Sequence, residues 1–96
     1  MYFAYMLRCS DNSLYSGYTK GTSPKKRVEI HNKGMGSKYT RARLPVKLVY
    51  FEEFKSKREA MKREYQFKKL NKAQKEKLVK EFNLLAKNYS VGELLI

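Results

Sequence analysis

Cysteine is nearly absent from this chain. Cys9 stands alone, and one thiol can close neither an intrachain disulfide nor a thiolate metal cluster. It is expected to be a plain small residue at a strand end. Histidine is as scarce, with His31 alone, so His and Cys together cannot build a transition-metal cage. Acidic residues are few: nine Asp and Glu stand against twenty-two Lys and Arg, which leaves a formal charge of +13 and a pI of about 9.9. That balance points to polyanionic partners, nucleic acid first and an anionic membrane surface second. Long apolar runs are missing too, and none approaches the roughly 18 to 20 residues of a spanning helix. Met1 to Leu7 lacks the basic leader and long apolar centre of a signal peptide. A soluble, cytoplasmic protein is expected. Its 96 residues bound it to one domain with a modest core, so any function must sit on one face.

What is present reads as an α+β chain. Tyr2 to Arg8 is aromatic and apolar, a polar Ser10-Asp11-Asn12-Ser13 turn follows, and strand character returns over 14–19, which predicts a hairpin. Tyr5 and Tyr15 are both odd-numbered. They share a face if paired residues sum to an even number, as an odd-length loop allows, and an even loop would separate them. Ser23-Pro24 is a good helix opening for a helix to about Asn32, placing Arg27 and His31 one turn apart on one face. The stretch 33–45 is polar, basic and glycine-containing and is expected to be an exposed loop. Lys47 to Phe54 resumes strand character through the run Leu48-Val49-Tyr50-Phe51. Ser56 with Glu59, and Asn71 with Gln74, mark the starts of two further helices. On the second, Leu78, Val79, Phe82 and Leu85, with Ala86 beside them, form a buried stripe. The plan is ββαβαα over 1–87, with a tail over 88–96 that docks on the domain or on another subunit, through which a homodimer or protein partner could bind.

Glu64 is the informative position on the first of those helices. Ala60, Met61, Phe67 and Leu70 define an apolar face, and Glu64 falls within it, where a carboxylate is costly unless paired, hydrogen-bonded or bound to a cation. A salt bridge to one of the many basic residues is the plain alternative. One carboxylate also suits Mg²⁺, which fills its octahedron with waters and phosphate oxygens. Tyrosines are common on strands as packing residues, and Arg27 or His31 alone would pass as structural. Together, two phenols, an arginine, an imidazole and a lone carboxylate are the groups that phosphodiester cleavage with one metal ion requires.

The same residues carry a family resemblance. Phe3-Ala4-Tyr5 and Tyr15-Ser16-Gly17 sit where the GIY-YIG nuclease domain has its two signature tripeptides, and the spacing to Arg27 and Glu64 is similar. The likeness is to small, single-domain GIY-YIG proteins of the UPF0213 type. It runs through Tyr5-Met6-Leu7-Arg8-Cys9, Leu14-Tyr15-Ser16-Gly17, Arg27-Val28-Glu29-Ile30-His31-Asn32, Lys38-Tyr39-Thr40-Arg41, Pro45-Val46-Lys47-Leu48-Val49-Tyr50 and Glu59-Ala60-Met61-Lys62-Arg63-Glu64. Phe3, Ala4 and Ser16 depart from the signature, while both tyrosines and Gly17, expected as a structural turn glycine, remain. Tyr18 takes a position where some relatives place a lysine, which excludes a lysine base there. Asn71 is closer to a helix cap than to the family's late active-site asparagine.

The resemblance implies a small three-stranded antiparallel sheet flanked by helices, with the site on the sheet. It implies a metal-dependent DNA endonuclease of the kind that repair or recombination uses. One signature tyrosine, helped by the other and by His31, would orient and deprotonate water. Arg27 would bind the scissile phosphate, and Glu64 would hold one Mg²⁺ or Mn²⁺. Lys25, Lys26, Lys33, Lys38, Arg41 and Arg43, with Tyr39, would follow the phosphate backbone without reading sequence, and the lysines of 57–80 would act as a general electrostatic skirt. The alternative keeps the fold as a non-catalytic nucleic-acid-binding module, since a fold does not guarantee its activity.

Overall fold

The computed structural model of the chain describes residues 1–86, so the expected tail over 88–96 lies outside the described residues. Strands β1 (Tyr2–Arg8) and β2 (Leu14–Lys20) are followed by helices α1 (Lys25–Asn32) and α2 (Lys38–Arg41). Strand β3 (Lys47–Phe54) and helices α3 (Lys57–Lys69) and α4 (Lys72–Ala86) complete the order. The sheet is antiparallel with β1 central, in the order β2-β1-β3. This is the expected ββαβαα plan with one addition. The stretch 33–45 is not simply an open loop, because it carries the short α2 and buries Thr40 completely.

Register decides which side chains meet. The β1–β2 loop covers 9–13, an odd length, with Asn12 in the left-handed region at φ 69° and Asp11 accepting from the backbone N–H of Ser13 at 3.0 Å. Tyr5 therefore pairs with Gly17 and Leu7 with Tyr15, which puts both tyrosines on one face. Between β1 and β3, Met6 pairs with Tyr50 and Leu7 with Leu48, so Val49 is an extra residue that reverses the alternation of β3. Tyr50 then joins Ala4, Met6, Phe67 and Val79 under α3 and α4, while Leu48 joins Tyr5, Leu7 and Val46 on the side of α1. Because β1 is covered on both faces, Phe3 to Leu7 are all buried.

The helices start where the caps predict. Ser23 Oγ accepts from the backbone N–H of Lys25 at 3.0 Å, Ser56 Oγ from that of Glu59 at 3.2 Å, and Asn71 and Gln74 exchange bonds at 2.8 and 2.9 Å. Two ion pairs tie helix to sheet. Arg8 grips Glu76 of α4 with both terminal nitrogens, and Arg63 of α3 meets Glu52 of β3 at 3.0 Å. Three positions differ from the pattern. Met61 is 43% exposed and Leu85 is 56% exposed, because each lies at the margin of its stripe, where a small sheet leaves solvent access. Gly17 is not a turn residue: it lies within β2, and its role is steric, as described below.

Ser16 is a local conflict. It faces away from Tyr15 and is buried, and its hydroxyl has no hydrogen-bond partner among the described residues. An orphaned buried hydroxyl costs about 1–3 kcal/mol, more than its small side chain returns in packing. Ser16→Ala should therefore raise the urea midpoint, by the equivalent of about 1 kcal/mol, with an unchanged slope. A lower midpoint would mean that the hydroxyl is satisfied in solution.

Candidate active site

The site is built outward from Tyr5. This residue sits at the centre of β1, where burial leaves its ring 1% exposed, and a buried phenol needs a partner for its hydroxyl. Space comes from Gly17 across the strand pair, since a Cβ there would lie 2.5 Å from Tyr5 Oη. The partner is His31 Nε2 at 2.9 Å. His31 is itself fully buried, and its Nδ1 meets Thr40 Oγ1 at 2.8 Å. Thr40 Oγ1 lies 2.9 Å from Ser37 Oγ, the hydroxyl that caps α2 by accepting from the Thr40 N–H at 3.1 Å. The result is a buried line of polar groups from the sheet to the cap of α2.

Burial sets the proton affinities along this line. It pushes the Tyr5 phenol up to about 12, reinforced by Tyr15 and Glu64 and opposed by the nearby Arg27 guanidinium. Burial first, and the charge of Arg27 second, hold His31 down to about 4, so the imidazole is neutral at physiological pH. Neutral imidazole has one donor and one acceptor nitrogen. With the proton on Nδ1, that nitrogen donates to Thr40 Oγ1 and Nε2 accepts from Tyr5.

The other expected groups approach from three elements. Tyr15, two residues before Gly17, sets its ring edge-on to His31 at 5.3 Å and stacks on Tyr39 at 5.9 Å. Arg27 lies one turn before His31, and its Nη2 donates to the Gly36 carbonyl at 3.2 Å. Glu64 comes from α3, which packs against the opposite face of the sheet. It reaches the same cleft of about 290 Å³ along the β2 edge, walled by Tyr5, Tyr15, Gly17, Tyr18, Thr19 and Arg27. Its side chain is 18% exposed, and Lys68, one turn on, lies 3.6 Å away as a loose ion pair. The carboxylate thus has a cationic neighbour and also borders the cleft.

Tyr5, Tyr15, Arg27 and Glu64 are therefore brought together, with His31 behind Tyr5 rather than in the cleft. Among the described residues no three His, Cys, Asp or Glu side chains cluster. A single part-exposed carboxylate between phenols and a guanidinium fits one hard divalent ion that keeps most of its waters, and does not fit a multidentate cage. The remaining expected contacts divide. Lys26 lines a neighbouring concavity, and Lys38 and Arg41 are exposed on α2, away from the cleft. Tyr39 and Arg43, expected as nucleic-acid contacts, also form a clamp within the chain. The Arg43 guanidinium lies 3.8 Å over the Tyr39 ring, pairs with Asp11 at 3.0 Å and donates to the Tyr39 carbonyl, while the Tyr39 hydroxyl donates to Ser13 Oγ at 2.7 Å.

Sequence reasoning missed Thr40, Ser37 and Gly36. A Cβ on Gly36 would fall 2.1 Å from His31 Nδ1, so this glycine makes room for the imidazole while its carbonyl holds Arg27. The available signal was Ser37-x-x-Thr40, a cap spacing inside an otherwise basic stretch.

This arrangement has a counterpart in known proteins: a family model described as the GIY-YIG catalytic domain matches residues 1–77. The chain belongs to the GIY-YIG family. It is similar to a UPF0213 protein of Clostridium perfringens, with 51% identity over 93% of this chain and 94% of that protein. It is 50% identical to a UPF0213 protein of Staphylococcus aureus over 83% of this chain and 95% of the relative. The solution structure of the UPF0213 protein BH0048 from Bacillus halodurans aligns with a TM-score of 0.51 at 46% identity, covering 83% of this chain and 84% of that one. That of the protein EF2693 from E. faecalis aligns at 0.54 and 45%, covering 86% of each. GIY-YIG domains are nuclease domains, so the family supports a nuclease in general terms. Among the described residues no helix is long and apolar enough to cross a membrane.

His31 makes folding pH-dependent. Its folded value of about 4 lies below the unfolded 6.5, so between those limits the unfolded chain binds more protons and stability rises with pH. The contribution is complete above pH 6.5 and is lost as pH falls toward 4, reaching about 3 kcal/mol. Urea unfolding across that range should show this slope, and His31→Gln should flatten it even if the variant is less stable throughout. An equal slope in both proteins would assign the acid sensitivity to carboxylates.

Proposed function

We propose that the chain is a divalent-metal-dependent endonuclease that hydrolyses phosphodiester bonds in DNA. The observation that carries this reading is the cleft on the β2 edge, where Tyr5, Tyr15, Arg27 and Glu64 converge from three parts of the sequence. With the Tyr5 proton directed at His31 Nε2, the phenol oxygen keeps lone pairs for an attacking water, so a proton can pass from water to Tyr5 as the Tyr5 proton passes to the imidazole. His31 shares its other nitrogen with Thr40, which fixes the ring for that exchange. Arg27, held by the Gly36 carbonyl, is placed to bind the scissile phosphate and offset the charge that builds on its oxygens. Tyr15 supports the water from the second wall. A bound Mg²⁺ or Mn²⁺, held by Glu64, supplies charge stabilisation for the leaving oxygen. The net charge of +13 favours a polyanionic substrate.

A second reading rests on a specific observation. With Tyr5 raised to about 12 and His31 lowered to about 4, neither group titrates near neutrality, which suits a module that binds nucleic acid without cutting it.

Labelled duplex, branched and single-stranded DNAs incubated with Mg²⁺ or Mn²⁺ separate the two. Glu64→Gln should lower cleavage by at least about 10²-fold while leaving affinity within a few-fold, because it removes a metal ligand and little positive field. Arg27→Ala should reduce the chemical step more than the affinity. Binding by the parent with no cutting under any condition would favour the second reading and make Glu64 a structural carboxylate.

A further inference from the structure

The cleft at Glu64 is not isolated. At one end it shares the Tyr15 wall with a concavity of about 350 Å³ bordered by Lys68 and Lys75. At the other it shares Thr19 and Arg27 with one of about 270 Å³ bordered by Lys20 and Lys26. The three follow one another along β2, from Leu14 to Lys20. Among the described residues that strand pairs with β1 alone, so its outer edge presents backbone N–H and C=O groups that no other described strand pairs. Among the described residues that line the three concavities Glu64 is the sole carboxylate, and four lysines flank it in pairs.

We infer that these concavities form one groove that carries a single strand of nucleic acid along the β2 edge, gripped by Lys68 and Lys75 at one end and by Lys20 and Lys26 at the other. The inference deepens the nuclease reading and rests on it for the position of the scissile phosphate, between the two lysine pairs. A seven-residue strand spans about 23 Å at about 3.3 Å per residue, which accommodates roughly seven nucleotides at a stacked spacing of about 3.4 Å, or fewer if they are unstacked. Charge decides the occupant: five cations and one carboxylate line the groove, and a phosphate backbone complements them. Outward-facing N–H groups of β2 add donors that a backbone phosphate can use. Lys68 and Lys75 are thereby separated from the general basic surface of α3 and α4, and the contacts move away from Lys38, Arg41 and Arg43.

The test is binding in a Glu64→Gln background, so that cleavage does not enter. The probe is a fluorescein-labelled oligothymidylate of about ten nucleotides, titrated by anisotropy at several salt concentrations. Lys68→Gln with Lys75→Gln, and separately Lys20→Gln with Lys26→Gln, should each weaken binding roughly tenfold at low salt. Each should also flatten the slope of log affinity against log salt by about 1.4. Lys77→Gln with Lys80→Gln, an equal change of charge on exposed α4 positions outside the groove, should alter both far less. Thermal unfolding of each variant establishes that the fold is kept. Equal effects from all three pairs would overturn the groove in favour of diffuse attraction. Parent-like binding by both groove pairs would overturn it too, and would leave the β2 edge to another occupant such as an added peptide strand. Loss at the groove pairs with no cleavage by the parent would refute the nuclease reading alone. Cleavage by the parent with unaffected groove variants would refute the groove alone.

Discussion

The hydrogen bond between Tyr5 and His31 organises much of this small protein, because neither group tolerates burial without the other. A phenol in the central strand of a sheet covered on both faces is almost wholly withdrawn from solvent, and leaving its hydroxyl unpaired would cost about 1–3 kcal/mol. His31 supplies the partner from α1 and inherits the same problem at its second nitrogen. Thr40 answers it, and Thr40 is held by the serine that caps α2. The need to satisfy one hydroxyl therefore reaches thirty-five residues along the chain. It gives a physical reason for a polar, basic stretch to fold as a capped helical turn against the sheet. Gly36 completes the arrangement twice, by yielding space to the imidazole and by lending its carbonyl to Arg27.

Charge is arranged as economically. With few carboxylates available, three are used to tie elements together: Glu76 joins α4 to the end of β1, Glu52 joins β3 to α3, and Asp11 joins the hairpin loop to Arg43. Asp11 is held below the usual carboxylate range by its bonds from Ser13 and by Arg43, and Glu76 by Arg8. Glu64 differs from these three. It meets one exposed lysine at 3.6 Å and otherwise opens on a cleft whose remaining walls are phenols, hydroxyl-bearing residues and a guanidinium. Partial burial without a firm partner distinguishes a carboxylate available to a cation from one that is already engaged.

Much of this was legible in the sequence. Helix starts followed from Ser23, Ser56 and Asn71, since a capping hydroxyl or amide acts locally and carries its own signature. The sequence tied the shared face of Tyr5 and Tyr15 to the parity of the hairpin loop but left that parity open, and the register supplies it. Glu64 was visible as a carboxylate inside an apolar stripe. Thr40 and Gly36 were not visible as site residues, because their roles depend on where His31 lands, and that placement is a tertiary fact. The clamp of Asp11, Arg43 and Tyr39 was not visible for a related reason, since it joins residues more than twenty positions apart in the chain. Gly17 was expected as a turn residue, because a glycine beside a hairpin suggests a turn, whereas here it clears space across a strand pair.

The departures from the family's signature follow the same geometry. Phe3 stands where the first tripeptide has glycine, and the chain accommodates it by packing the ring edge-on against Phe51 at 5.9 Å, two residues before Tyr5 on the same face. Ala4 is fully buried beneath the helices, where small size and an apolar surface are what the packing asks for. Ser16 is accepted at the expense of an unsatisfied hydroxyl. None of these side chains borders the cleft, so each substitution is absorbed by packing or by stability. Gly17 cannot be absorbed in that way. Any Cβ at that position meets the oxygen of Tyr5, the atom that bonds His31, on a residue that walls the cleft. In this chain the departures fall where side chains fill the core, and the retained glycine shapes the position of one oxygen atom.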